Sequence, residues 1–394
     1  MIGYTSFETI MQRKIYLVVT PFFSEPDDFR GPYVLDQVKA LMRVSDFEVV
    51  VMKPVPLWVK PEDYEIDGVQ VYRFRQYTLP SNLLPNRLCD SLSARSMIRK
   101  LHAIGINASD IAVCHGHVTA FGAFALAVKR ENPDCIAVVQ HHGFDVMSTT
   151  DGQLAKYKWH EQWCVDYGHR ICNSVDLNIG VSKKTLEYVR QYPGVRMKRE
   201  YVLYNGVDTT KFFPDDKKPK HEGFVIGCIG NFWPLKDQMT LIRAVERLVM
   251  GGEKDIRVRF VGTGATLAAC KQYVADHQLH TYFSFEQEVM HEVLRSFYCN
   301  LDLFVLPSYW EAFGCVYTEA YACGVPFMAV KEQGIGEIIP IEDQNRWLID
   351  KGDDARLADL IAEYMHSPQT QKLNIPYKID ELMKVYVDYI QKIR

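Results

Sequence analysis

Short apolar runs alternate with segments of helical periodicity along most of this 394-residue chain. In the first half the apolar runs predict strands at positions 15–21, 47–52, 111–114, 136–140 and 177–181. Helix candidates such as VLDQVKALMRV and AFGAFALAVKREN lie between them. Strands that are apolar throughout, rather than at every second residue, are typical of a parallel sheet covered by helices on both faces. The pattern therefore predicts an α/β fold.

The second half repeats this pattern, with the strand candidates FVIGCIG, IRVRFVG, YFSF, LDLFVLPS and PFMAV. A chain of this length exceeds what a single hydrophobic core usually supports, so we expect two domains. We predict two Rossmann-like domains whose parallel sheets face each other across a cleft. Ligands of such sheets bind at the carboxyl ends of the strands, which places a site in the cleft.

The expected boundaries give a first domain, a linker, a second domain and a final helix, at 1–203, 204–222, 223–373 and 374–394. The linker contains the Asn205-Gly206 turn and a charged run after Pro214. The final helix is amphipathic, and we expect its apolar face to pack back on the first domain. Within the first domain, Asp67-Gly68 between alternating residues predicts a β-hairpin.

Charge and cysteine content exclude some classes of protein. The net charge of −4 argues against a nucleic-acid-binding protein, which would need a basic surface. Ten cysteines occur without a C-x-x-C pair, so we expect no metal site and reduced thiols in a cytoplasmic protein. No apolar run approaches the ~20 residues that span a bilayer. Contact with the inner face of a membrane stays open.

The segment PSYWEAFGCVYTEA follows an apolar strand and leads into a helix-like run. Backbone N–H groups at a helix start suit phosphate, and carboxylates such as Glu311 suit the hydroxyl groups of a sugar. Glu319 would lean back toward the same helix end, where Gly314 permits close backbone approach. A solvated helix face is the alternative, but Trp310 and Phe313 beside Glu311 favour a site for a sugar, a diphosphate and a ribose.

A second candidate for phosphate binding is Lys236, in the strand–loop–helix segment FVIGCIGNFWPLKDQMTLIRAVERL. Its ammonium can neutralise a phosphate as a point charge, and Asp237 is a candidate N-cap of the helix that follows. A solvent-facing lysine is the alternative. Further on, Gly262 and Gly264 match the start of a dinucleotide fingerprint, but Leu267 occupies the third glycine position. This weak match favours a tight turn near a nucleotide over a nicotinamide site.

In the first domain, His142 stands at the carboxyl end of a predicted strand, in AVVQHHGFDV. Paired histidines suggest a metal, but no nearby spacing completes a ligand set, so hydrogen bonding to a sugar or phosphate fits better. We expect His115 and His117 to be structural. Gly31 lies between the first strand and its helix, where its N–H could approach a phosphate or serve only a turn.

Taken in order, these segments resemble the retaining glycosyltransferases of family four, which have the GT-B fold. The resemblance covers nearly the whole chain through FRGPYVLDQVKAL, HHGFDV, DLNIGVSKKTLEYV, VLYNGVDTTKFFP, IGNFWPLKDQMTLIRAV, RFVGTG and LPSYWEAFGCVYTEAYACGVP. It implies an acceptor-binding first domain, a donor-binding second domain and a final helix that returns to the first. It also implies transfer of a hexose from a nucleotide-diphosphate sugar, foremost a UDP-sugar, without a metal or other cofactor.

The resemblance assigns roles to individual residues. As catalytic residues, Glu311 would bind the donor-sugar hydroxyl groups, Lys236 the leaving phosphate, and His142 the sugar near its reacting carbon. Donor binding would involve Gly31, Asn231, Lys236, Gly262, Glu311, Phe313, Gly314, Cys315, Val316 and Glu319. The uracil would stack near Gly262–Gly264, with polar contacts from 286–289.

Two departures from the family pattern stand out. Asn231 occupies a position where the family often has an arginine. Either Asn231 acts as a neutral hydrogen-bond donor, or a second cation comes from elsewhere, with Arg30 a candidate. Gln333-Gly334 replaces a pair of glycines, which leaves the acceptor contacts undefined.

The sequence identifies no acceptor-binding residue. LPSNLLPNRLCDSLSARSMIRKLHAIGI mixes leucines with basic residues at 87, 95, 99 and 100. The segment could lie on an anionic membrane surface, which would imply a lipid or lipid-linked glycan acceptor in cell-surface glycan or glycolipid synthesis. A helix that covers the first sheet is the other interpretation. A nucleotide-sugar epimerase of the same fold, a nicotinamide-dependent dehydrogenase and a non-catalytic sensor are the competing functions.

Overall fold

A computed structural model of the chain describes residues 13–25, 31–80, 84–85, 87–143, 149–150, 153–154, 158–216 and 221–394. It consists of two α/β domains, each built on a mainly parallel sheet with helices on both faces. The predicted fold class is therefore confirmed.

The first domain contains an eight-stranded sheet and a separate short hairpin. Its strands are β1 (Ile15–Val19), β2 (Glu48–Pro56), β3 (Tyr64–Ile66), β4 (Val69–Gln76), β5 (Ile111–His117), β6 (Ile136–His141), β7 (Thr149–Thr150), β8 (Gln153–Leu154), β9 (Leu177–Gly180) and β10 (Glu200–Val202). The order in the sheet is β10-β9-β6-β5-β1-β2-β4-β3. Among the described strands of the eight-stranded sheet, only β3 runs antiparallel, because it forms a hairpin with β4 at the predicted Asp67-Gly68 turn.

The described residues of this domain form the helices α1 (Pro32–Val44), α2 (Asp90–Ala103), α3 (Gly122–Glu131), α4 (Trp159–Ser174) and α5 (Lys183–Arg190). One face of the sheet packs against α2 and α3, and the other against α1. Helix α2 buries Ala94, Met97 and Leu101 and therefore covers the first sheet. This is one of the two interpretations that the sequence allowed for this segment.

The second domain is built on a six-stranded parallel sheet in the order β13-β12-β11-β14-β15-β16. Its strands are β11 (Phe224–Ile229), β12 (Ile256–Val261), β13 (Phe283–Glu286), β14 (Leu303–Val305), β15 (Phe327–Val330) and β16 (Leu348–Ile349). Its helices are α6 (Gln238–Met250), α7 (Leu267–Asp276), α8 (Leu294–Cys299), α9 (Cys315–Ala322), α10 (Gln344–Trp347) and α11 (Asp354–His366), with α12 (Ile379–Ile393) at the end of the chain. Single 3₁₀ turns occur at Ala108–Asp110, Thr119–Phe121, Pro234–Lys236, His291–Val293, Gly334–Ile338 and Ile341–Asp343.

Helix α12 crosses back to the first domain. Its apolar side chains, including Met383 and Ile390, share a core with α1 and the first sheet. Inside that core the Tyr386 hydroxyl lies 2.7 Å from the Tyr16 hydroxyl of β1. At its edge, Arg43 of α1 pairs with Asp380 at 2.6 Å. The last helix therefore belongs structurally to the first domain's core.

The two domains meet through polar and aromatic contacts. The carboxylate of Glu337 in the second domain accepts hydrogen bonds from the backbone N–H groups of Lys183 and Lys184, both at 2.8 Å. These N–H groups open α5 of the first domain, so Glu337 stabilises the positive end of that helix. The Tyr204 hydroxyl donates to Glu337 at 3.0 Å, and its ring lies 5.6 Å from Phe313.

Candidate functional site

The start of α9 lies just beyond β14, as the sequence predicted. Gly314, the N-cap residue, has a φ of 85°. A Cβ atom there would come within 2.6 Å of the Tyr317 ring and 3.1 Å of Glu311 Cγ, so this turn requires glycine. Phe313 is buried beneath the turn, whereas Cys315 and Val316 are half-buried in the first helical turn. Burial raises the pKa of the Cys315 thiol, which therefore stays protonated.

Lys236 and Glu311 form an ion pair. Lys236 ends the 3₁₀ turn that precedes α6, and Glu311 lies in the loop that precedes α9. Their side chains are only 20% and 16% exposed, so the pair is partly withdrawn from water. The sequence predicted a separate ligand contact for each residue and did not predict that they contact each other.

Glu319 is 7% exposed and points toward two neighbouring side chains. Its Oε2 atom accepts from the Tyr298 hydroxyl at 2.8 Å, and its Oε1 atom lies 3.2 Å from His291 Nε2. Burial alone would lower the pKa of His291, but Glu319 and then Asp36 outweigh it, so the pKa is raised. Asp36 lies on α1 of the first domain, and the electrostatic environment of Glu319 therefore draws on both domains. The sequence did not identify His291 or Tyr298.

The predicted glycine pair brings two loops of the second domain together. A Cβ atom at Gly262 would lie 2.4 Å from the Gly230 carbonyl oxygen, and one at Gly264 would lie 2.6 Å from that of Phe232. Asn231, which lies between Gly230 and Phe232, is exposed. Glu286, in the segment expected to contact uracil, pairs with Arg259 at 2.8 Å.

Two further predictions for this loop concern Asp237 and Arg30. Asp237 precedes α6 in a left-handed conformation with a φ of 47°. It is the N-cap residue of α6, as predicted, but its carboxylate accepts from the Thr240 hydroxyl at 2.7 Å rather than from a backbone N–H of the helix. Arg30, the candidate second cation, lies outside the described residues.

Gly31 opens α1 with a φ of 85°, and a Cβ atom there would lie 2.9 Å from the backbone of Phe22. The turn thus requires glycine for packing, whatever else its N–H contacts. Across the same sheet edge, His142 follows directly after β6. Its Nε2 atom lies 2.9 Å from His117 Nδ1, with the two rings stacked at 5.1 Å.

The sequence predicted a structural role for His117, and the structure adds its direct contact with His142. His117 stacks in turn on His115 at 4.5 Å, and the Tyr16 hydroxyl lies 2.8 Å from His115 Nδ1. Burial lowers the pKa of His115 to about 3 and that of His117 well below its usual range. Both rings are neutral at physiological pH. The i, i+2 spacing on β5 places both on one face, which is the sequence signal for their stacking.

A cavity of about 720 Å³ lies beside His142 in the first domain. Its walls are mostly aromatic and aliphatic and include Tyr33, Phe121 and Tyr192, while Arg87 contributes a cation. Trp310 and Ala312, the neighbours of Glu311, pack against a cluster formed by Cys172, Val189, Tyr192 and Val195, of which the first three line the cavity. The cavity thus adjoins the loop that carries Glu311.

Behind this cavity lies a buried carboxyl group that the sequence did not single out. Asp90, the first residue of α2, is 4% exposed, and Arg87 Nη1 is 3.9 Å from its Oδ1. Burial raises the pKa of Asp90 to about 6, although the charge of Arg87 opposes the shift.

The described part of the chain contains no group of three or more His, Cys, Asp or Glu side chains placed to hold a metal ion. Nor does any helix within it combine the length and apolarity that crossing a bilayer requires.

Two family models match consecutive parts of the chain. The model described as Glycosyltransferase Family 4 matches residues 31–211, and the one described as Glycosyl transferases group 1 matches residues 209–378. Among solved structures, HepE from Anabaena in complex with UDP is similar with a TM-score of 0.66 at 18% identity. The similarity covers 96% of this chain and 98% of that one, and it supports the shared fold.

Curated relatives match at low identity. The phosphatidylinositol N-acetylglucosaminyltransferase GPI3 subunit of Saccharomyces cerevisiae is 28% identical over 36% of this chain and 32% of its own length. The GDP-mannose-dependent alpha-(1-6)-phosphatidylinositol monomannoside mannosyltransferase of Mycolicibacterium smegmatis is 27% identical over 51% of this chain and 56% of its own length. The matched region thus spans between a third and just over half of these two relatives.

Proposed function

Because the chain belongs to the glycosyltransferases of family four, we propose that it transfers a hexose from a UDP-sugar to a lipid or lipid-linked glycan, with retention at the anomeric carbon. The observation that carries this proposal is the placement of the Lys236–Glu311 ion pair. The pair lies beside the start of α9, and residues next to Glu311 pack against side chains that line the cavity beside His142.

In this proposal the two ends of the donor have separate partners. Glu319 binds the ribose, and the N–H groups of the first turn of α9 bind the diphosphate. Lys236 neutralises the charge that develops on the leaving phosphate, while Glu311 accepts hydrogen bonds from the sugar hydroxyl groups. The pairing of Lys236 with Glu311 holds both side chains in place before the donor arrives.

Transfer then needs no protein nucleophile. The bond between the anomeric carbon and the phosphate oxygen breaks, and the acceptor oxygen bonds to the same face of that carbon. The acceptor hydroxyl proton passes to the leaving phosphate oxygen. His142 contacts the sugar near the reacting carbon, and the neutral His117 beside it adds no positive charge there.

The acceptor proposal rests on the walls of the cavity and on its surroundings. Aromatic rings such as Tyr33 and Tyr192 offer faces to a sugar or an apolar chain, and Arg87 offers a partner for a phosphate. Leu88 and Leu92, near the start of α2, are 50% and 47% exposed. The exposed Arg95 lies one turn further along the helix. These side chains suit an anionic membrane surface that presents a lipid-linked acceptor.

A donor screen against a pooled lipid extract tests the proposal. UDP-, GDP- and ADP-sugars are incubated with the protein and anionic vesicles that contain the extract, and products are identified by mass. We expect a hexose adduct with a UDP-sugar, loss of that adduct with Glu311→Gln, and co-sedimentation of the protein with the vesicles. Product formation only from a GDP-sugar would reject the donor. Turnover of the donor without any acceptor adduct would reject transfer.

A further inference from the structure

Gln333 connects the two domains next to the proposed donor site. It follows Glu332, a non-glycine residue with a φ of 59°, in the loop after β15, and it is 6% exposed. Its Oε1 atom accepts from the backbone N–H of Glu311 at 2.8 Å and from Lys184 Nζ at 3.2 Å. Its Nε2 atom donates to the Lys331 carbonyl oxygen at 3.2 Å, which fixes the orientation of the amide.

The neighbouring glycine makes this contact possible. A Cβ atom at Gly334 would lie 1.8 Å from the carbonyl oxygen of Ala312, so the loop after β15 and the Glu311 loop touch backbone to backbone. The Gln333 amide can therefore reach the N–H of Glu311 directly. A side chain at position 334 would separate the two loops.

Lys184 comes from the opposite domain. It lies in the first turn of α5, where its own backbone N–H donates to Glu337. Its ammonium donates to the carbonyl oxygen of Glu332 as well as to Gln333. Burial lowers the pKa of Lys184, and the charges of Glu332 and Glu337 oppose that shift. A cavity of about 510 Å³ lies along this interface and is lined by Lys184, Gln333 and Glu337 among others.

We propose that Gln333 is a positioning residue for sugar transfer, because it couples the orientation of Glu311 to the docking of Lys184 from the first domain. The contacts run from Lys184 through Gln333 to the backbone of Glu311, and from its carboxylate to Lys236. When the domains separate, the Glu311 loop loses its link to the first domain. The donor sugar is then held firmly only in the closed arrangement. This inference rests on the proposed role of Glu311 in binding the donor sugar.

The test compares Gln333→Leu, which removes the acceptor oxygen at similar volume, with Gln333→Glu, which keeps it. For Gln333→Leu we expect kcat to fall about tenfold or more, since a buried N–H loses its partner. The affinity for UDP should change less than about twofold, because the nucleotide end of the donor is held elsewhere. Gln333→Glu keeps the acceptor oxygen but loses the donor to the Lys331 carbonyl oxygen, so we expect a smaller fall in kcat, of about threefold.

Gln371→Leu is the matched control. Gln371 is also a buried amide, and it bonds the backbone of Phe327 at 3.0 and 2.8 Å in the same domain. Its loss should lower the Tm without changing kcat. Introduced into the otherwise wild-type protein, Lys184→Met should lower kcat. Introduced into the Gln333→Leu variant, it should cause no further loss. Additive losses, or a parallel loss of UDP affinity, would overturn the inference.

Amide hydrogen exchange separates this inference from the proposed reaction. The peptide that contains Glu311 should exchange faster in both Gln333→Leu and Lys184→Met, and at the wild-type rate in Gln371→Leu. Faster exchange without turnover of any nucleotide sugar by the wild type would retain the coupling and reject the proposed function. Unchanged exchange would reject the coupling itself, whatever the enzyme transfers.

Discussion

In the second domain, the candidate site is held by charged pairs: Lys236 contacts Glu311, and Glu319 contacts His291 and Tyr298. In the first domain, by contrast, the His115, His117 and His142 rings stack at the edge of a mostly apolar cavity, and burial keeps the first two neutral. The difference matches the chemistry of the two substrates we propose. A nucleotide sugar carries a diphosphate and needs fixed charges, whereas a lipid-linked acceptor meets aromatic walls and one cation.

The largest effect should come from the charged pair. Lys236→Met leaves Glu311 partly buried without its cation and removes the stabilisation of the leaving phosphate. We expect kcat to fall by about a hundredfold or more. Lys331→Met is the control, since Lys331 pairs with Asp350 at 3.1 Å on the exposed surface, and it should stay within about twofold of the wild type. Equal losses in the two variants would mean that the ion pair has no special part in the reaction.

An intermediate effect is expected from the stacked histidines. His142→Asn keeps a hydrogen-bonding side chain but removes the ring that stacks on His117, and we expect kcat to fall about tenfold. UDP affinity should be unchanged, because His142 lies in the other domain. Calorimetric titration with UDP, beside steady-state kinetics, checks the split. The exposed His102 gives the control His102→Asn, and a matching loss there would contradict the assignment.

The smallest effect concerns stability rather than turnover. In the folded protein the pKa of Asp90 is raised to about 6. Between about pH 4 and 6, folded Asp90 therefore keeps a proton that the same residue has released in the unfolded chain. Stability is therefore lost as pH rises through that window. Asp90→Asn should be more stable than the wild type at pH 8 by about 1–2 kcal/mol, and the gain should vanish near pH 4.

Thermal unfolding at both pH values measures the difference. Asp63→Asn is the control, because Asp63 accepts from Lys100 Nζ at 2.6 Å and from the Arg73 N–H at 2.9 Å. The Asp63→Asn variant should therefore be less stable than the wild type at pH 8. A gain for Asp90→Asn that is equal at both pH values would show that repacking, not ionisation, is responsible.

Much of the fold follows from local patterns in the sequence, whereas its boundaries depend on tertiary contacts. The first strand was predicted to reach Pro21 but ends at Val19, since proline has no N–H for the ladder. The third predicted strand was expected to end at Cys114 but continues to His117. Its His-Gly-His ending has no strand-like composition, and burial between neighbouring strands overrides that local preference.

The candidate site was predictable where one short segment contains several candidate residues. Gly314, Glu311 and Glu319 belong to such a segment. The pairing of Lys236 with Glu311 was not predictable, because 75 residues separate them and only the folded sheet brings their loops together. The same holds for the contact of His117 with His142, and for Gln333, whose amide reaches a loop that precedes it by 22 residues.

The return of α12 to the first domain has a consequence for biosynthesis. Val34 and Leu35 on α1 share a core with Met383 and Ile390, which are translated only after the whole of the second domain. Until α12 has been made, the nascent first domain exposes an apolar surface, although all the strands of its sheet have been translated. A chain released before position 379 should therefore be a client for chaperones and should bind a hydrophobic dye, which a chain that includes α12 should not.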